Sequence, residues 1–372
     1  MSRPLQLTIR IDAMRHNLEV IRRRVGSAQI WAVAKANAYG QGIEAAVKGF
    51  AQADGLAVLD LAEALRARQA GWTKPILMIE GAFSIEDLSV MKANALWTVI
   101  STPEQAEMFI RAPVVPTMAW VKLNTGMHRL GLAANLGESK LVRLLTECQS
   151  RVTSPLAFMT HFANADTPDG WTEQLRVFDA WVPRLAASLG MSAVVRSMAN
   201  SAASLSIPQT CADWVRPGIA LYGATPYADG NPEHRAQAFG LMPAQVMQTR
   251  VIAVQQVAKG ETVGYGGRFQ AQRDTRIGVV AIGYADGYPR AAADGTPVWV
   301  DGRIVPLAGR VSMDMITVDL TDHPQAGVGA LVECWGDHVA VDDVAQSAQT
   351  IGYELMTKVT ARVPKRVVDG QG

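Results

Sequence analysis

The apolar positions of this chain change their texture once. Between residue 28 and about residue 222, short runs apolar on both faces alternate with stretches of helical period. The runs are QIWAVAK (29–35), GLAVL (55–59), PILMIE (75–80), ALWTVI (95–100), TMAWVKL (117–123), PLAFMTH (155–161), AVVRSM (193–198) and WVRPGIALYG (214–223). Such runs read as parallel strands covered by helices. Helical spacing lies between them, as in GIEAAVKGFAQA (42–53), DLAEALRARQA (60–70) and TEQLRVFDAWVPRLAASL (172–189). Eight units in succession predict a (β/α)8 TIM barrel, with a doubly wound sheet as the rival topology.

After about residue 238 the chain reads TRVIAVQQVA, ETVGYG, TRIGVVAIG, TPVWVDGRIVPLAG, MITVDL and ALVECWG, with Gly, Asp and Pro turns between. That spacing predicts a mainly-β domain. A helix is expected over VDDVAQSAQTIG, with Asp342 or Asp343 near its start. The expected division is a barrel over 1–235 and a β domain over 236–372, with the change inside NPEHRAQAFG (231–240). The N-terminal QLTIRI also reads as a strand, open to assignment to the β domain.

Composition narrows the function. The chain has 372 residues, 49% hydrophobic and 19% charged, with a formal net charge of +1. There is no basic excess for nucleic acid or anionic membrane. No apolar run approaches the ~20 residues of a membrane span, and the N-terminus lacks the apolar core of a signal peptide. Cys148, Cys211 and Cys334 form neither a disulfide framework nor a metal motif, and suit a reducing cytoplasm. The histidines show no metal spacing.

In a barrel, chemistry gathers at the C-terminal ends of the strands. Lys35 ends the first run, Lys122 lies in the fifth with Arg129 after it, and His161 ends the sixth. Asn200 and Ser201 follow the seventh, and Arg216 and Gly218 lie in the eighth. A lysine at the end of an apolar run loses hydration, which lowers its pKa and frees the amine for Schiff-base chemistry. On its own such a lysine is more often a snorkelling surface lysine. The loops after strands seven and eight are where barrels bind phosphate. Here they offer ANSAAS (199–204) and RPGIALYG (216–223). A lysine beside a phosphate cup points to pyridoxal 5′-phosphate.

Six blocks then carry a resemblance, in order along the chain: AVAKANAYGQG (32–42), VKLNTGMHRLG (121–131), RPGIALYG (216–223), VGYGGRF (263–269), GYADGYPR (283–290) and GRVSMDM (309–315). Together they resemble the alanine racemase family, pyridoxal-phosphate enzymes of fold type III, over essentially the full length. The resemblance implies a cofactor aldimine on Lys35. It implies phosphate contacts from Tyr39, Ser201, Gly218, Ile219 and Tyr353, with Asn200 beside them. Arg216 would face the pyridine nitrogen with His161 hydrogen-bonded to it, and Arg129 would bond the phenolic oxygen. Lys122 matches the family lysine that is often carbamylated and then orients that arginine. Tyr265 matches the second catalytic base. Met313 matches a position that helps hold the substrate carboxylate, and Tyr284 and Tyr353 match residues that narrow the entry. Tyr265, Tyr284 and Met313 would come from the partner of a homodimer with shared active sites. The family often has His at the position of Gln41 and Asp at that of Asn124.

The implied reaction interconverts L- and D-alanine, with Lys35 serving one face of Cα and Tyr265 the other. It would supply D-alanine for peptidoglycan or feed L-alanine breakdown. Three other readings stand beside it. A racemase of broader range would act on Ser, Lys or Arg. A non-catalytic pyridoxal-phosphate carrier would lack the β domain and Tyr265. A related decarboxylase would pair the ring nitrogen with a carboxylate, where this chain has Arg216.

Overall fold

The computed structural model describes residues 3–370. Two compact units divide them. One runs from Leu18 to Ala38 and from Gly42 to Leu221; the other takes the chain up to Asn17, Tyr39–Gln41 and everything from Tyr222 onward.

The first unit is a closed parallel barrel, with strands in sequence order. After an initial strand β1 (Gln6–Arg10), its staves are β2 (Gln29–Val33), β3 (Gly55–Val58), β4 (Ile76–Met78), β5 (Leu96–Ile100), β6 (Ala119–Lys122), β7 (Ala157–Met159), β8 (Arg196–Ser197) and β9 (Trp214–Val215). β9 returns to β2 through Gln29↔Trp214 and Ile30↔Val215. Each of the eight apolar runs contains one stave, and the barrel is the topology realised. The last two staves are only two residues long. Pro217 stands two residues beyond β9 with no N–H for a ladder, and Ile219–Tyr222 turns into a short 3-10 helix. The outer helices begin on side-chain caps. Asp60 caps Leu61–Gln69, Ser84 with Asp87 closes a capping box on Ile85–Ala93, and Thr102 caps Pro103–Arg111.

Tryptophans fill the barrel. Trp31 stacks on Trp214 with ring centroids 4.2 Å apart and meets Trp97 and Trp120 edge-on. Gly55, on the neighbouring strand, makes room: a Cβ there would stand 2.1 Å from the Trp31 ring.

The second unit is built on an eight-stranded sheet. The long β10 (Gln245–Val257) is its spine, and β11 (Thr262–Val263) pairs β12 (Phe269–Gln270) as a separate ribbon. β13 (Thr275–Val280), β14 (Pro297–Val300), β15 (Arg303–Pro306), β16 (Ile316–Asp319), β17 (Leu331–Trp335) and β18 (Lys365–Val368) complete it. β1 lies in this sheet, antiparallel to β10 and parallel to β18. Among the described residues, no helix is long and apolar enough to cross a membrane.

Candidate functional site

All eight staves run the same way, so their C-terminal ends share one mouth. Lys35 leaves two residues after β2, and Lys122 ends β6. His161 follows β7 by two residues, Asn200 and Ser201 follow β8, and Arg216 follows β9. Burial first, then the Arg129 charge, pulls the Lys35 amine below the ordinary lysine range, while Glu80 and Glu63 act in the opposite sense. Burial, Arg216 and Arg129 bring the buried Lys122 down to about 8. Burial pushes His161 well below the usual histidine range, and the charges of Arg216, Lys122, Arg129 and Lys35 push the same way. At neutral pH this mouth therefore holds a neutral imidazole among cations. Such a surface suits a multiply charged anion.

Arg216 is buried, and burial lowers it to about 10. Its guanidinium donates to the Ser197 hydroxyl, the Thr160 carbonyl and, at 3.3 Å, the Met198 carbonyl. Among the described residues no carboxylate pairs with it, and no hydrogen bond joins it to the His161 ring. The hydrogen bond between these two that the resemblance implies is not among those Arg216 makes; three of its five N–H donors go to Ser197 and to the Thr160 and Met198 carbonyls. Arg129 is exposed and makes no hydrogen bond among the described residues. Asn124 shapes the turn before Arg129 by accepting the Gly126 and His128 N–H groups at 3.2 and 3.0 Å.

The Ser201 hydroxyl accepts the N–H of Gly218 at 2.8 Å and of Ala220 at 3.4 Å. Its own proton is then left to donate outward. Asn200 accepts the Ala203 N–H and caps Ser201–Ser206. Ile219 is fully buried. Beneath the rim, Thr125 and Thr160 share a 2.7 Å bond, and Gln174 donates to the His161 carbonyl at 3.0 Å. An amine of lowered pKa, a cationic mouth and the Ser201–Gly218 junction together fit an aldehyde cofactor bearing a phosphate.

The backbone after Lys35 reverses its hand. Ala36, Asn37, Ala38 and Tyr39 all have φ between 53° and 55°. For an L-residue this region costs roughly 1–2 kcal/mol. The sequence marks a turn here, rich in Asn, Tyr and Gly after the run ending at Lys35, but not its left-handed sense. Gln174, Glu63 and Glu80 also escape sequence reading. Glu80 closes the run PILMIE, so the strand-end rule could have found it. Glu63 lies on a helix, and no pattern marks it.

The remaining site candidates belong to the second unit. Tyr39 stacks on Tyr222 at 4.6 Å and lies 6.0 Å from Tyr353. Tyr284 and Met313 are brought together by their backbones: Tyr284 N–H donates to Ser312 O and Ala285 N–H to Met313 O, both at 3.0 Å. A Cβ on Gly283 would stand 2.3 Å from the Met313 carbonyl, so glycine permits this approach. Asp286, fully buried, anchors the same turn by pairing with Arg3 at 2.7 Å and Arg362 at 3.0 Å. The turn carrying Tyr265 lies beside Arg310, which leads into the Met313 loop. Tyr265 is 72% exposed, Met313 53%, Met315 42% and Tyr284 38%.

Residues 9–226 match the family description "Alanine racemase, N-terminal domain" and residues 244–367 match "Alanine racemase, C-terminal domain". Among curated relatives, the chain is 46% identical to an alanine racemase of Bordetella petrii, covering 98% of this chain and 99% of the relative. Identity to an alanine racemase of Polaromonas sp. is also 46%, with the same coverage. Among solved structures, a biosynthetic alanine racemase from Pseudomonas aeruginosa superposes with a TM-score of 0.90 at 44% identity, over 99% of this chain and 100% of that one. One from Acinetobacter baumannii gives 0.88 at 34% identity, over 99% and 100%.

Proposed function

This chain belongs to the alanine racemase family and is an isomerase of alanine, and on that premise we propose how its own residues divide the work. The observation that carries the reading is Lys35: an amine of lowered pKa among cations, at the same end of the staves as the Ser201–Gly218 junction. The group it would hold is pyridoxal 5′-phosphate, which acidifies the Cα–H of an amino acid it carries. Ser201, Gly218 and Ile219 would hold its phosphate with Tyr39, Asn200 and Tyr353. Arg129, free at the rim, would bond its phenolic oxygen.

Arg216 would donate toward the ring nitrogen. A guanidinium does not give up its proton at working pH, so it cannot supply one to the ring. Arg216 would thus withhold a proton from the ring, which favours return of the proton to Cα. Lys35 would take and return the proton on one face of Cα, and Tyr265 of the partner subunit would do so on the other. The exposure of Tyr265, Tyr284 and Met313 supports a homodimer that covers them. Met313 would present its backbone to the substrate carboxylate, and Tyr284 would narrow the entry. With Lys122 held near 8, part of its population is neutral at pH 7.5, which suits addition of CO2 to give a carbamate facing Arg129.

Assaying purified protein on L-Ala, L-Ser and L-Lys tests the reading. Racemisation should be fastest on alanine. Faster turnover of lysine or serine would assign a broader racemase, and no turnover would leave only a carrier.

A further inference from the structure

Glu63 lies outside every sequence block that carries the family resemblance, yet it reaches the turn that follows Lys35. Its Oε1 accepts the Asn37 N–H at 2.6 Å. Arg66, three residues on and therefore on the same helix face, donates to Asn37 Oδ1 at 3.1 Å. Arg66 is itself held by Glu44 through two bonds of 2.9 and 2.7 Å. Asn37 is thus gripped at both its N–H and its side chain. Its carbonyl accepts from Gly42 N–H at 2.8 Å, and the Ile43 N–H reaches its Oδ1 at 3.3 Å.

This grip falls on residues that need it. Ala36 and Ala38 have φ of 53° and 55° and no side-chain polar group to support a left-handed conformation locally. The Ala38 N–H donates to Ala34 O at 2.9 Å across the turn. Beyond the bonds from Gly42 and Ile43, support comes from Glu63 and Arg66 on the helix Leu61–Gln69. We propose that Glu63 is a positioning residue for Lys35, clamping with Arg66 the left-handed turn from which the lysine side chain departs. The proposal rests on reading Lys35 as the cofactor lysine.

A second observation sets Glu63 apart from a packing residue. Its Oε2 is buried and meets no hydrogen-bond donor. Leaving a carboxylate oxygen unpaired in the interior is costly. That oxygen belongs to a negative charge felt at Lys35, where it favours the protonated amine against burial. The other charged and titratable groups facing the lysine are Arg129, Glu80, Lys122 and His161.

The test compares Glu63→Ala, which removes acceptor and charge, with Glu63→Gln, which keeps an acceptor oxygen and removes only the charge. Hydrogen–deuterium exchange is followed on the full-length protein in a peptide over 34–42 and in barrel peptides over 117–123 and 155–161. Glu63→Ala should speed exchange in 34–42 by roughly tenfold and leave the other two unchanged, and Glu63→Gln should restore most of the protection. In the full-length chain freed of cofactor, the pH midpoint for reductive methylation of Lys35 should fall in both variants. Unchanged exchange over 34–42 in Glu63→Ala overturns the clamp. Faster exchange spread over all three peptides overturns it too, since that is loss of ordinary packing. An unmoved Lys35 midpoint in both variants overturns the charge effect. Borohydride labelling of the wild-type protein is a separate control: absence of cofactor on Lys35 would sink the cofactor reading and leave the exchange result to decide the clamp.

Discussion

The Gly218 amide donates to the Ser201 hydroxyl at 2.8 Å, so the loops after β8 and β9 meet through one oxygen. That oxygen accepts twice and has one proton to give. Ser201→Ala should remove that donor and also leave the Gly218 N–H without its acceptor. Cofactor affinity should fall by roughly tenfold or more, because a bond to a charged group is lost. A fluorescence titration of stripped protein with pyridoxal phosphate measures it.

Borohydride treatment of the purified protein should abolish its visible cofactor band. A peptide spanning 32–42 should then gain the reduced cofactor mass on Lys35. Finding the adduct on Lys122 would reverse the roles of the two lysines.

Mixing Lys35→Ala subunits with Tyr265→Ala subunits checks the shared site. Each parent should be nearly inactive. If each pocket takes Lys35 from one chain and Tyr265 from the other, half of the randomly mixed dimers carry one intact pocket. Activity should recover to roughly a quarter of wild type. Heterodimers confirmed by mass with no recovery would place both bases in one chain.

Asp342 supplies a pH dependence of stability. Burial, and secondarily Asp343, raises its carboxyl to about 7 from 3.8, against the Thr225 N–H bond. The folded state therefore keeps a proton that the unfolded chain has already lost. The contribution to stability is full below about pH 4 and declines as pH rises to about 7. Asp342→Asn keeps an acceptor for Thr225 and should flatten this decline in melting temperature between pH 4 and 8. A slope equal to wild type would mean that Asp342 ionises normally.

Gly55→Ala should destabilise the barrel. The added Cβ would stand 2.1 Å from the Trp31 ring, which is already packed against three other tryptophans. Overpacking of this kind costs about 1–3 kcal/mol and is read as a lower denaturation midpoint.

The barrel was legible because its staves are apolar on both faces, as in Ile76–Met78 and Ala119–Lys122. Their lengths were less so. The run 214–223 reads as one strand, yet pairing stops at Val215. A ladder needs N–H groups in register, and hydrophobicity does not encode register once Pro217 intervenes. The position of Lys35 followed from the strand-end rule. The reversed turn after it did not, because two of its residues are alanines, whose usual conformation is right-handed. Glu63 was hidden for a related reason: its contact to Asn37 spans 26 residues and joins a helix to a turn.

The four residues after Lys35 follow the screw sense natural to amino acids of the opposite chirality. A D-alanine built chemically into position 36 or 38 would sit there without strain, whereas the Cβ of an L-residue crowds its own carbonyl. An isomerase of alanine thus holds two of its own alanine residues in the mirror-image backbone.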